Sequence, residues 1–173
     1  DHKRILVIGA GPGGMKAAAA AAERGYEVSL WEKNDYMGGI MAAAGAPRFK
    51  KDVRDQVDYL IRQVYKHKID VRLGKTATLD DVKAYAPDFV VVAAGAAPVV
   101  IPVPGHDKAN VSTAVPVLLG QKSVGQRVVV VGGGEVGCEL STELCMQGKD
   151  VTMVELLDKI LLTADHFVAN DQN

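Results

Sequence analysis

Ile5-Leu-Val-Ile-Gly-Ala-Gly-Pro-Gly-Gly14 is an apolar run that stops at a glycine and opens into a glycine-rich turn. Strand character ends at Ile8, and a helix-forming run from Met15 to Arg24 follows the turn. The glycines fall at Gly9-x-Gly11-x-x-Gly14, with Pro12 and Gly13 between the last two. This strand–turn–helix context is what a dinucleotide-binding fingerprint requires. Gly9 permits the tight turn, Gly11 leaves room for a pyrophosphate against the backbone, and Gly14 lets the helix pack close to the strand. The helix N-terminus supplies free N–H groups and partial positive charge.

Moving outward, the helix spans about Pro12 to Arg24. Its alanines, Ala17 to Ala22, favour helix and leave little bulk toward a sheet. Gly25 is the expected stop. Glu27-Val-Ser-Leu-Trp31 is a second strand ending at Glu32, 23 positions after Gly9 (32 − 9). An acid there is placed to accept hydrogen bonds from a ribose. Glu32, with Lys33 beside it, joins the candidate site. The loop from Asn34 to Pro47 is rich in small residues, and Gly38 and Gly39 could lie flat against a planar ligand. Asp52 to Lys68 has helical periodicity, with His67 expected as an exposed cap. Ile69 to Leu73 is a short strand, and Leu79 to Tyr85 a helical turn stopped by Pro87. The apolar run Phe89-Val-Val-Val-Ala-Ala94 suits a central parallel strand covered on both faces. It ends at Gly95, and Ala94 and Gly95 join the candidate site. Pro98 to Gly105 is too proline-rich for a central strand.

The second half repeats the first. Arg127 to Val131 is a strand, and Gly132-Gly-Gly-Glu-Val-Gly137 has the same glycine spacing. A helix from Cys138 to Gln147, a stop at Gly148, a strand Val151–Val154 and the acid Glu155 follow. The differences 132 − 9, 137 − 14, 148 − 25 and 155 − 32 are all 123. The second candidate site is therefore Gly132, Gly134, Glu135, Val136, Gly137 and Glu155. Cys138 and Cys145 share one helix face about 10 Å apart, too far for a disulfide. They read as small core residues.

Composition narrows the remaining classes. Of 173 residues, 48% are hydrophobic and 24% charged, enough for a sizeable core in one or two domains. A net charge of −1 gives no reason to expect nucleic acid or an acidic membrane surface. No apolar run reaches the roughly 18 residues a bilayer span needs. Two cysteines give neither a disulfide framework nor a metal site, and no secretory signal is visible, so a cytoplasmic setting is the default. The chain starts without Met, almost on its first strand, and ends in Ala169-Asn-Asp-Gln-Asn173 without a closing element, as a fragment would.

Two fingerprints separated by Asp88-Phe-Val-Val-Val-Ala-Ala-Gly95 resemble the two-dinucleotide-binding-domain flavoproteins of the pyridine nucleotide-disulfide oxidoreductase superfamily. The linking strand usually ends Ala-Thr-Gly there; here it ends Ala93-Ala94-Gly95. Met37-Gly-Gly39, Pro87 to Gly95, Val131 to Glu139 and Ala164-Asp165 look like the C-terminal portion of the enoate reductase, dienoyl-CoA reductase and trimethylamine dehydrogenase group.

The resemblance implies an α/β, Rossmann-like three-layer fold with a parallel sheet and two βαβ units, the second truncated. It implies an FAD-binding domain over 1–109 and the start of an NAD(H)-binding domain over 110–173. FAD would occupy the first site and NAD(H) the second, passing hydride onward to partner centres. In relatives an N-terminal barrel carries FMN and an iron–sulfur cluster. A second reading has ADP at the first site as a structural prop. No acid–base residue is identified: His106 and His166 sit in linker-like or terminal segments. The lack of Cys-x-x-Cys argues against a dithiol mechanism. The isolated fragment is expected to be inactive.

Overall fold

The computed structural model describes residues 3–161. Ala164, Asp165 and His166 lie outside them. The chain divides into two compact units, Asp1–Gly45 with Lys50–Pro98, and Ala46–Phe49 with Val99–Asn173.

The first unit is a four-stranded parallel sheet with helices. Its strands are β1 (Arg4–Ile8), β2 (Glu27–Trp31), β3 (Asp70–Arg72) and β4 (Phe89–Val92), in the order β3-β2-β1-β4. The helices are α1 (Pro12–Glu23), α2 (Ile40–Ala44), α3 (Lys51–Lys66) and α4 (Leu79–Tyr85). Alternation along β1 and β2 divides their residues between two faces. Ile5, Val7, Val28 and Leu30 enter one core with Met15 and Ala18 of α1 and with Leu60 and Val64 of α3. The small side chains of α1 allow that helix to lie beneath α3 as well as on the sheet.

Leu6, Ser29 and Trp31 are also buried. The Trp31 ring meets Tyr85 of α4 edge-on at 5.3 Å, and the Arg72 guanidinium lies 5.5 Å from its centroid. Such contacts anchor a short helix that has no buried residue of its own. A capping box between Thr78 and Asp81 starts α4. Ala86 ends it in a left-handed conformation (φ 50°), followed by Pro87.

Three expectations change here. Among the described residues the apolar run at Phe89–Val92 lies at the edge of the sheet, and all four residues are exposed. Its pairing partner is β1, and apolarity alone does not say how many neighbours a strand has. His67 does cap α3, but its side chain is only 18% exposed, with Nε2 3.3 Å from Glu23 Oε1. The small-residue loop also contains α2, which the run of glycines and alanines concealed.

The second unit contains α5 (Ala114–Leu118), β5 (Arg127–Val131), α6 (Glu135–Met146) and β6 (Asp150–Val154). The two strands are parallel neighbours. Val130, Leu140 and Leu144 form the core, with Val117 and Leu118 of α5 packed against it. Glu143 is buried too, accepting from the Arg48 backbone N–H at 2.9 Å and from Gln147 Nε2 at 2.9 Å.

The cysteines are not core residues. Cys138 is half-buried and Cys145 exposed, both as free thiols. They line an open apolar groove of about 530 Å³ with Ser141, Thr142, Met146, Met153 and Ile160. The repeat explains this difference. Positions 138, 141 and 142 correspond to Met15, Ala18 and Ala19, which are buried in the first unit. There α3 covers the α1 face; the α6 face has no equivalent cover among the described residues of its unit.

Candidate functional site

In the first unit the site forms at the C-terminal ends of β1 and β2, where a parallel sheet opens toward its ligands. Gly9 has φ +102°, and a Cβ on it would lie 2.3 Å from the Ala93 carbonyl oxygen. A Cβ on Gly14 would lie 1.8 Å from the Gly9 carbonyl oxygen. A Cβ on Gly11 meets nothing within 4 Å. Two glycines are therefore required by the fold, and the third faces open space. Pro12 opens α1, where a missing N–H costs no helix bond. Gly13 and Gly14 follow in the first turn, whose N–H groups have no carbonyl ahead of them within the helix.

The neighbouring loop closes on this turn. The Gly38 N–H donates to the Ala10 carbonyl at 2.8 Å, and a Cβ on Gly39 would be 3.0 Å from Gly11 Cα. Ala93 N–H donates to the Ile8 carbonyl at 2.8 Å, which brings Ala94 and Gly95 to the same end of the sheet. Lys33 is exposed.

Glu32 is 5% exposed. Its Oε2 accepts from the Ala10 N–H at 2.7 Å and its Oε1 from the Asn34 N–H at 2.8 Å. The acid is thus bonded to both the glycine turn and the turn after β2. Ala10 and Asn34 escaped the sequence reading because they contribute only backbone groups.

The second unit repeats the turn, the acid and their hydrogen bonds, although a Cβ on Gly132 meets nothing within 4 Å where one on Gly9 meets Ala93. The strand registers Arg4↔Glu27 and Arg127↔Asp150 match at offset 123 (127 − 4, 150 − 27). Gly132 has φ +105°, and a Cβ on Gly137 would lie 1.9 Å from the Gly132 carbonyl oxygen. A Cβ on Gly134 meets nothing within 4 Å. Glu155 accepts from the Gly133 N–H through Oε2 (2.5 Å) and from the Leu157 N–H through Oε1 (2.9 Å). The Leu161 N–H donates to the Gly133 carbonyl at 2.8 Å, as Gly38 does to Ala10. Leu161 adopts φ +57° where the first copy has glycine. The repeat therefore extends beyond the acid to 38 and 161 (161 − 38 is again 123). Glu135 and Val136 stand in the first turn of α6, where the first copy has Pro12 and Gly13.

The Leu157 and Gly133 N–H groups hold the Glu155 carboxyl below its ordinary value, against a smaller upward push from burial. A depressed value means the carboxylate contacts contribute stability above the ordinary glutamate range. That contribution is lost as pH falls through the lowered value. In an NMR titration the Gly133 and Leu157 amides are expected to shift together, with a midpoint below 4.5. A midpoint at or above 4.5, or separate midpoints, would refute the shared carboxylate.

Among the described residues no helix is long and apolar enough to cross a membrane, and no group of three or more His, Cys, Asp or Glu could hold a metal ion.

Parallel strands joined by such strand–turn–helix units define an α/β, Rossmann-like protein. Residues 3–171 match the pyridine nucleotide-disulphide oxidoreductase family, and the chain belongs to that family. It is 40% identical over 159 residues to cinnamate reductase of Clostridium sporogenes, covering 92% of this chain and 24% of that protein. It is 39% identical over 164 residues to an NADH oxidase of Thermoanaerobacter brockii, covering 92% and 25%. Among solved structures, a 2-naphthoyl-CoA reductase complex superposes with a TM-score of 0.90 at 33% identity, covering 99% of this chain and 26% of that one. The chain thus spans about a quarter of the length of these relatives.

Proposed function

We propose that the chain is the FAD- and NADH-binding portion of a larger flavin oxidoreductase. FAD is assigned to the turn at Gly9, Gly11 and Gly14 with Glu32, and NADH to the turn at Gly132, Gly134 and Gly137 with Glu155. The domains follow as 1–109 for FAD and 110–173 for the start of the NAD(H) domain. The observation that carries this reading is the duplicated turn: in each copy the glycine facing open space stands beside a helix N-terminus and an acid. Bound there, the two cofactors supply hydride-transfer chemistry. The chain's residues bind and orient them. First-turn N–H groups of α1 and α6 face the pyrophosphates, and each carboxylate has lone pairs left for ribose hydroxyls.

The order of the two sites follows the family resemblance and the similarity to an NADH oxidase. The similarity to much longer reductases supports partner centres elsewhere in a full-length protein, with an N-terminal FMN and iron–sulfur barrel as the reading from resemblance. A cytoplasmic location belongs to the same reading.

Purification from a flavin-replete host tests the first site. The expected result is yellow protein that releases FAD on denaturation. Colourless protein releasing ADP would overturn the flavin assignment in favour of a structural nucleotide.

Glu155 is expected to favour NADH, because its charge repels a 2′-phosphate and no arginine lies within the next several residues. Glu155→Ala should reduce the NADH-over-NADPH affinity ratio about tenfold, equivalent to ~1.4 kcal/mol. Titration of both nucleotides measures it, and an unchanged ratio removes Glu155 from that role.

A further inference from the structure

We propose that Glu32 and Glu155 position the glycine turns before any nucleotide arrives, a role separate from contacting a ribose. The inference deepens the nucleotide-binding reading above and rests on it for the step from turn geometry to ligand. Each carboxylate joins two backbone segments. Glu32 ties the Ala10 N–H, inside the first turn, to the Asn34 N–H, just after β2. Glu155 does the same with Gly133 and Leu157. The carbonyls of Ala10 and Gly133 are in turn held by the N–H groups of Gly38 and Leu161. The residue following the first glycine is therefore held at both its N–H and its carbonyl in both copies.

This arrangement has two chemical consequences. The Ala10 and Gly133 N–H groups point at carboxylates, which leaves later N–H groups of each turn to meet phosphate. Each carboxylate oxygen also keeps a lone pair after accepting one N–H, so two oxygens can still take two ribose hydroxyls. The turn and the ribose are then held by the same group, and ordering of the turn need not wait for binding. Recurrence at two places with different neighbouring side chains argues that the bonds belong to the design of the turn. Position 10 is alanine and 133 glycine; position 34 is asparagine and 157 leucine.

Glutamine is the discriminating substitution. It has nearly the same shape but presents an NH2 group to one of two N–H donors, so one bond becomes a donor–donor contact. Amide exchange of nucleotide-free wild type, Glu32→Gln and Glu155→Gln is measured by NMR or mass spectrometry, alongside ADP affinity for the first site and NADH affinity for the second. The expected result is exchange about tenfold or more faster at positions 10 and 34, or 133 and 157, with strand amides at Leu6 and Val7, or Val129 and Val130, unchanged.

Unchanged exchange at the turn with weakened nucleotide binding would overturn the positioning role and leave the ribose role standing. Uniform acceleration through strand and turn would also overturn it, because the carboxylate would then support the fold at large. Two sites in separate units keep the test decisive if one variant does not fold. Failure of wild-type chain to bind ADP and NADH would instead sink the function proposed above, whatever the exchange rates.

Discussion

Gly11→Val is expected to leave the chain folded and to weaken nucleotide binding at the first turn about a hundredfold or more, near 3 kcal/mol. The reason is a contrast within one turn. A Cβ on Gly9 or Gly14 collides with backbone of the protein itself, whereas a Cβ on Gly11 reaches no protein atom within 4 Å. Gly11 also sits at φ −72° and ψ 179°, extended backbone that a β-branched residue accepts. Folding therefore places no demand for glycine there. The remaining demand is external: a pyrophosphate seated on the helix N-terminus would meet the valine side chain.

Trp31, the only tryptophan, directly precedes Glu32 and is buried, so its emission reports folding of this unit. Wild type and variant should unfold at nearly the same urea concentration, while ADP titration separates them. Gly134→Val should behave likewise toward NADH, since its Cβ also meets open space. A Gly11→Val protein that binds ADP as tightly as wild type would move the phosphate site away from this turn.

Much of this architecture was legible in sequence, for local reasons. β1, the turn and α1 are encoded within about twenty consecutive residues, and period, glycine spacing and stop signal agree. The repeat was legible because side-chain identity recurs at 9, 14, 25 and 32. Its extension to 38 and 161 was not, since glycine is replaced by leucine while the backbone bond is preserved. Backbone N–H groups carry no sequence signature, so Ala10, Asn34, Gly133 and Leu157 could not be singled out.

Burial was harder to read than secondary structure, because it depends on neighbours distant in sequence. Phe89–Val92 and the Cys138–Cys145 face are as apolar as a core, yet they are exposed or half-exposed among the described residues. Glu143 shows the converse: a charged residue buried because an N–H and a carboxamide satisfy it.

Gly14→Ala should be among the most damaging single-methyl changes in the first unit. The added Cβ would stand 1.8 Å from the Gly9 carbonyl oxygen, about half an ordinary contact distance. Neither side can yield cheaply. Gly9 is held by its N–H, which donates to the Trp31 carbonyl at 2.7 Å, and its own Cα lies against Ala93. On the other side α1 is fixed by buried Met15 and Ala18, which share one core with the sheet and α3. Relief requires α1 to lift from β1, which opens the core beneath it. Overpacking of that kind costs about 3 kcal/mol or more. Alanine's better helix propensity returns at most ~1 kcal/mol, so the sign is not in doubt. Urea denaturation followed by Trp31 emission should show an earlier midpoint. Gly137→Ala, at 1.9 Å from the Gly132 carbonyl, should instead spare the Trp31 transition and reduce the stability of the second unit, seen by circular dichroism. An unshifted Trp31 midpoint in Gly14→Ala would mean that the close approach of helix and turn is not required for folding.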